Sequence, residues 1–174
     1  PASADPALGL VYLVTNASTV QSYAGHRPGD NLFGGSVLAL DVKTGERRWH
    51  YQIHHSDQWN YDLPTPPMLM DLNVDGQKIP ALIQNTKQGL VFACNQETGE
   101  PIWPIEEQAV MQTEVPGNWT SPTQPFPTWP EPVDPIATDG LTEEFVIDYT
   151  PELKEQAMMI LNEYRVGGLY VPAL

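Results

Sequence analysis

Residues 54–67 read HHSDQWNYDLPTPP and gather two histidines, two aspartates, a tryptophan and a tyrosine before closing on three prolines. Imidazoles and carboxylates take and release protons near neutral pH, and flat rings give a ligand a surface to lie against. Prolines and a lack of helix formers make the stretch a loop. The combination predicts an active-site loop whose acid–base candidates are Asp57 and Asp62, with Trp59 and Asn60 between them. His54 and His55 are neighbours, and in extended chain neighbours point to opposite faces. Joint metal ligation is therefore not expected, and the pair lacks the spacing of a metal motif. Structural or substrate-rim roles fit them better.

A loop of this kind must be held by regular elements. Two stretches of the chain resemble each other, LALDVKTGERRW at Leu38–Trp49 and FACNQETGEPIW at Phe92–Trp103. They share Ala39/Ala93, Asp41/Asn95, Thr44/Thr98, Gly45/Gly99, Glu46/Glu100 and Trp49/Trp103, each pair 54 positions apart. An internal repeat of that period, built from short strands, predicts the blades of a β-propeller. In each copy a β-rich run delivers an Asp or Asn whose side chain can bond the backbone of the following turn. Thr-Gly then makes the turn, with Gly free to take positive φ. The closing tryptophans are expected to pack blade on blade and to do no chemistry.

Between the repeats, PMLMDL and KIPALIQ are strands joined at Asp75-Gly76, a strong hairpin signal. LVYLV from Leu10 reads as a buried strand and GHRPGDN from Gly25 as a loop. From Pro104 to Gly140 the chain is proline-rich and without period, and SPTQPFPTWPEP cannot pair as a central strand. A long irregular segment of that type is functional or covers a face of the scaffold. One helix is expected over about 151–165, with Thr150 as N-cap, Pro151 at the first helical position and Glu152 in the first turn. Leu153, Ala157, Ile160, Leu161 and Tyr164 form its apolar stripe, Arg165 and Gly167-Gly168 stop it, and the stripe predicts packing against the sheets.

The bulk properties set limits. With 174 residues the chain can bury a core. Eight basic against 22 acidic residues, a net charge of −14, exclude nucleic acid and anionic membrane as partners. Eighteen prolines and 13 glycines mean many turns and short strands. The longest apolar run, LGLVYLV from Leu8, is too short to span a bilayer. Cys94 is the only cysteine, so there is no internal disulfide. Without an initiator Met, and without a closing element after LYVPAL, the chain reads as a segment of a longer protein.

The pattern A-x-D-x-x-T-G-x-x-x-W at Ala39–Trp49, with its Asn variant at Ala93–Trp103, resembles the tryptophan-docking motif of the quinoprotein dehydrogenases. LVTNAS at Leu13–Ser18 resembles that family's T-G-N segment, and RPGDNLFGGSVLALD resembles the loop and strand that enter the docking motif. HHSDQWNYDLPTPP, IPALIQNTKQG and SPTQPF are similar to the glucose (sugar or polyol) dehydrogenase branch. The resemblance implies an all-β, eight-bladed propeller that uses pyrroloquinoline quinone (PQQ) with Ca²⁺ or Mg²⁺. Residues 1–174 would be one segment of it, about two to three four-stranded blades with repeats around 36–53 and 90–103, the insertion 104–140 and one helix. It also implies a bacterial periplasmic protein, with any membrane anchor and the remaining blades in other parts of the chain.

The same resemblance places site residues. Asn16 matches the amide that offers oxygen to the cation and holds the cofactor, whereas by its own position it reads as a turn residue. Lys87 matches the cation that reaches the PQQ carbonyls and stabilises charge as the quinone is reduced; by itself it reads as a solvated turn lysine. Trp59 falls at the cofactor, and Asn60 falls at the position of the catalytic base and metal neighbour. The implied reaction removes the hydroxyl proton of an alcohol or sugar as its hydride passes to the quinone, with electrons going on to a quinone or a cytochrome. The family base, however, is an Asp in W-D-x-D, and this chain reads Trp59-Asn60-Tyr61-Asp62. An amide cannot accept the proton. The base is then Asp62, ahead of Asp57, or this member is impaired, or it uses a different arrangement. A second class of function, a non-catalytic propeller that binds protein partners, stands beside the enzyme. Asn60 favours that scaffold; Asn16, Lys87 and HHSDQW favour the enzyme.

Overall fold

The structure, a computed structural model, describes residues 1–19, 21–134 and 140–173. Its first sheet has four antiparallel strands in chain order: β1 (Ala2–Asp5), β2 (Leu10–Val14), β3 (Ser36–Asp41) and β4 (Arg47–Gln52). The second has three, β5 (Met68–Val74), β6 (Gln77–Asn85) and β7 (Val91–Asn95), with a single bridge from Cys94 to Pro101 where a fourth strand would lie. Asp75 and Gly76, both at positive φ, form the two-residue turn between β5 and β6, as the sequence predicts. The architecture is that of a partial β-propeller. Strand β1 was not foreseen in the sequence, because ASAD carries no β-rich signal.

The core lies between the first two sheets. Tyr12, Ala39 and Trp49 are register partners across three strands, and all three are buried. This row meets Leu82 and Phe92 of the second sheet, while Ile53 and Leu63 from the connecting loop close the same cluster. Burial of such rings and branched chains stabilises by about 1.5–3 kcal/mol each.

The repeat is a repeated turn. Asp41 Oδ1 accepts from the N–H groups of Lys43 and Thr44 at 2.9 and 3.0 Å, and Asn95 Oδ1 accepts from those of Glu97 and Thr98 at 2.8 and 3.2 Å. Gly45 and Gly99 take φ of +74° and +76° in equivalent places. The two turns differ in what lies above them. Trp49 spans to the second turn, where its indole N–H donates to Gln96 O at 3.0 Å. A Cβ on Gly99 would stand 2.6 Å from the Trp49 ring, whereas one on Gly45 meets nothing within 4 Å. Gly45→Ala should therefore cost only the left-handed strain of about 1–2 kcal/mol. Gly99→Ala should cost a further ~1–3 kcal/mol for the displaced ring, and chemical unfolding of the two variants measures the difference. Trp103 is half-buried and packs on its own sheet against Ala81, Ile83 and Ala93.

The proline-rich segment is more regular than its composition predicts. Strands β8 (Ile105–Ala109) and β9 (Thr123–Pro127) make a two-stranded antiparallel ribbon. Pro125 and Pro127 are tolerated because each strand has only one partner, so an imino nitrogen need not break a central ladder. Of this segment, 135–139 lie outside the described residues.

Helix α1 spans Pro151–Leu161, with Thr150 accepting from Leu153 N as its cap. It ends four residues short of the expected limit, and Tyr164 falls in the turn beyond it. The expected packing on the sheets is not observed. No helix residue is buried, and the apolar side of α1 lies along residues 141–147, which include a one-turn 3-10 helix at Glu143–Phe145.

Cys94 is buried in β7, and desolvation pushes its thiol up to about 12. Native protein at neutral pH should therefore resist alkylation, and labelling that appears only with denaturant would check this.

Candidate functional site

Antiparallel order brings three connections, β2–β3, β4–β5 and β6–β7, to one end of the two sheets. Asn16 follows β2, Gly35 precedes β3, residues 53–67 leave β4 for β5, and the Thr86–Leu90 turn joins β6 to β7. The Asp41 and Asn95 turns lie at the other end. The connections at the first end are pinned by backbone bonds: Gly35 N to Asn16 O at 3.1 Å, Ile53 N to Gly35 O at 2.8 Å, and Thr86 N to Leu90 O at 3.1 Å.

Lys87, carried on the β6–β7 turn, reaches across to the loop. Its Nζ donates to Asn60 O at 2.9 Å and stands 3.4 Å from Asp62 Oδ2. The other oxygen of Asp62 accepts from Ala17 N at 2.9 Å, one residue beyond Asn16. Asn60 Oδ1 accepts from Gln21 Nε2 at 2.8 Å. Asn60, Asp62, Lys87 and the Asn16–Ala17 backbone thus meet at one place. The loop is not extended here: Asn60 takes φ of +62°, a left-handed conformation that Asn tolerates better than most residues. Gln21 and its bond to Asn60 carried no sequence signal.

The two aspartates part company by burial. Asp62 and Lys87 keep 23% and 38% of their side chains exposed, within reach of a ligand. Asp57 keeps 2% and has both oxygens committed, accepting from Trp59 N at 2.8 Å and Tyr61 N at 2.7 Å. Burial by itself would raise the Asp57 carboxyl, but the neighbouring His54 ring and those two N–H groups outweigh it and hold it below the usual carboxylate range. Asp57 shapes the loop.

The histidines point apart as expected. His54 is buried beside Asp57, whereas His55 contacts Gln52 Oε1 at 2.7 Å and Glu107 Oε1 at 3.0 Å. Gln124 of β9, fully buried, accepts from His55 N and donates to His55 O, both at 2.8 Å, and so ties the ribbon to the loop. Trp59 turns away from Lys87. Its indole donates to Val171 O at 2.7 Å, and its ring stacks on Tyr61 at 6.0 Å and meets Tyr170 edge-on at 5.2 Å. Tyr61 in turn donates to Leu169 O at 2.6 Å, and burial, then Asp57, pushes its hydroxyl up to about 12.

The donor chemistry fits an anionic cofactor at Lys87 and part of the shell of a hard cation at the amide oxygens of Asn16 and Asn60, both exposed. It is not a whole coordination shell, because among the described residues no group of three or more His, Cys, Asp or Glu could hold a metal.

Residues 1–174 match the family model described as PQQ, glucose/ethanol/alcohol dehydrogenase, β-propeller domain. The chain is 46% identical over 127 residues to the glycerol dehydrogenase large subunit of Gluconobacter oxydans, covering 71% of this chain and 17% of that protein. It is 39% identical over 127 residues to the quinoprotein glucose dehydrogenase of Escherichia coli, covering 72% and 16%. Among solved structures, the quinohemoprotein alcohol dehydrogenase from Comamonas testosteroni superposes with a TM-score of 0.57 at 26% identity, covering 73% of this chain and 19% of that one. The chain therefore spans less than a fifth of the length of these proteins.

Proposed function

The chain belongs to the family of PQQ-dependent glucose/ethanol/alcohol dehydrogenase β-propellers, and on that premise we propose that the protein containing it oxidises the CH–OH group of an alcohol, polyol or sugar. The observation that carries the reading is the convergence of Asp62 and Lys87 beside Asn60 and the Asn16–Ala17 backbone. Lys87 would hold PQQ through its carbonyl or carboxylate oxygens, while Trp59, bonded to Val171 O and stacked on Tyr61, lies apart from it. Asn16 and Asn60 would lend amide oxygens to Ca²⁺ or Mg²⁺, and other parts of the protein would complete that shell. PQQ, when bound, supplies a two-electron acceptor for the substrate hydride.

Asp62 takes the substrate's hydroxyl proton. It is the carboxylate of the loop with exposed surface, and Ala17 N fixes one of its oxygens so that the other is directed at the Lys87 side of the site. The ammonium of Lys87 would offset the negative charge that a quinone gains on accepting the hydride. The electrons then pass to a quinone or a cytochrome, and the protein works in the periplasm.

The second reading, a propeller that binds protein partners without catalysis, is favoured by Asn60 at the base position. The test is dye-linked oxidation by the full-length protein loaded with PQQ and Ca²⁺ or Mg²⁺, across a panel of alcohols, polyols and sugars. PQQ-dependent turnover is the expected result. A protein that binds PQQ yet oxidises none of the panel would leave the scaffold.

A further inference from the structure

We infer that His54 is the positioning residue of this site, acting through Asp57 on the turn that carries Asn60 and Asp62. The inference rests on the site proposed above. His54 is 1% exposed, and neither ring nitrogen has a hydrogen-bond partner among the described residues. Its Nε2 stands 3.4 Å from Asp57 Oδ2, a distance at which a proton on Nε2 attracts the carboxylate without the alignment of a hydrogen bond. A buried polar group left unsatisfied costs about 1–3 kcal/mol, so an apolar ring would serve better if the position were filler. Such a cost is retained where geometry is needed.

The geometry is local and specific. The ring of His54 lies over Gly35, where a Cβ would come within 2.3 Å of Nε2, and it meets Tyr61 edge-on with centroids 6.5 Å apart. His54 is thus confined between the backbone before β3 and the loop. Asp57 Oδ2 faces His54 and also accepts from Tyr61 N, while Oδ1 accepts from Trp59 N. Those two N–H groups bracket Asn60, whose φ of +62° needs external support because left-handed backbone is unfavourable for a residue with a side chain. Asn60 O and Asp62 then meet Lys87. Removing the partial charge of His54 frees the Asp57 carboxylate to turn, and the Trp59–Asp62 backbone loses its brace.

The test uses the full-length protein with His54→Phe, which keeps the ring's shape, and His54→Gln, which can place an amide nitrogen near the position of Nε2. Amide hydrogen exchange of residues 57–62, followed by mass spectrometry, reads the brace without cofactor or turnover. Expected for His54→Phe is exchange faster by on the order of tenfold or more in this segment. Its kcat should be lower by about tenfold or more with KM little changed, since misplacing a catalytic group costs rate rather than binding. His54→Gln should recover both. Wild-type exchange in His54→Phe overturns the inference. So does a loss shared equally by Phe and Gln together with a fallen melting temperature, which is a packing role only. If His54→Phe does not fold, His54→Asn, too short to reach Asp57, replaces it with the same two outcomes. Full activity of Asp62→Asn would remove the proposed base and leave the exchange result, and hence the role of His54 in holding the loop, to be decided separately.

Discussion

Asp62→Asn in the full-length, PQQ-loaded protein should lower kcat by about 10²–10⁴-fold with KM nearly unchanged, the range for loss of a general base. The substitution keeps the shape of the side chain and an acceptor for Ala17 N, so the loop should stay in place. What it removes is the proton acceptor and the charge facing Lys87. Asp57 cannot take over, because it is buried and both its oxygens are engaged by Trp59 N and Tyr61 N. Asn60→Asp is the companion measurement. Turnover near that of the unmodified protein means Asp62 already serves as base. A large gain means that the native chain is impaired at this step, and undiminished turnover of Asp62→Asn would rule Asp62 out.

Trp49→Ala should destabilise the full-length protein by about 3–5 kcal/mol, as truncation of a buried tryptophan does elsewhere. The ring is buried, lies tilted 5.8 Å from Tyr12, and covers the Gly99 turn of the next sheet. Its loss opens a cavity between two sheets that share one core. Trp49→Phe keeps most of that packing and removes the hydrogen bond to Gln96 O, so about 1 kcal/mol is expected. Gln96 O still accepts from Tyr12 Oη at 3.0 Å, which limits the desolvation cost. Denaturant midpoints of the two variants give the comparison, and equal values would mean that the ring packs less tightly than its burial implies.

The tryptophan shows where reading the repeat stops. The residues of the two turns are equivalent in sequence and adopt the same hydrogen bonds, yet only the second turn of the pair is overlaid by a tryptophan from the preceding sheet. A one-dimensional repeat states that Trp49 and Trp103 are alike. Trp49 is nevertheless buried and bonded across to Gln96, whereas Trp103 is half-buried on its own sheet.

The amino-acid sequence by itself determined the features that close within a few residues. The Asp41–Gly45 and Asn95–Gly99 turns, the Asp75-Gly76 hairpin and the Thr150-Pro151 helix start are each set by a side chain bonding neighbouring backbone, or by tolerance of positive φ. Their period of 54 residues then implied stacked blades. Tertiary structure alone decided what depends on partners distant in the chain. Proline-rich β9 is a strand because β8, whose residues Ile105–Ala109 pair with Pro127–Thr123, lies beside it. Helix α1 stands off the sheets, with its apolar side facing residues 141–147 across a groove. Asp62 rather than Asp57 faces the site because Ala17, 45 residues earlier, and Lys87, 25 residues later, hold it there, while Asp57 is consumed by its own loop. A carboxylate's chemistry is written in its side chain, but its exposure and its partners are fixed only when the chain folds back upon itself.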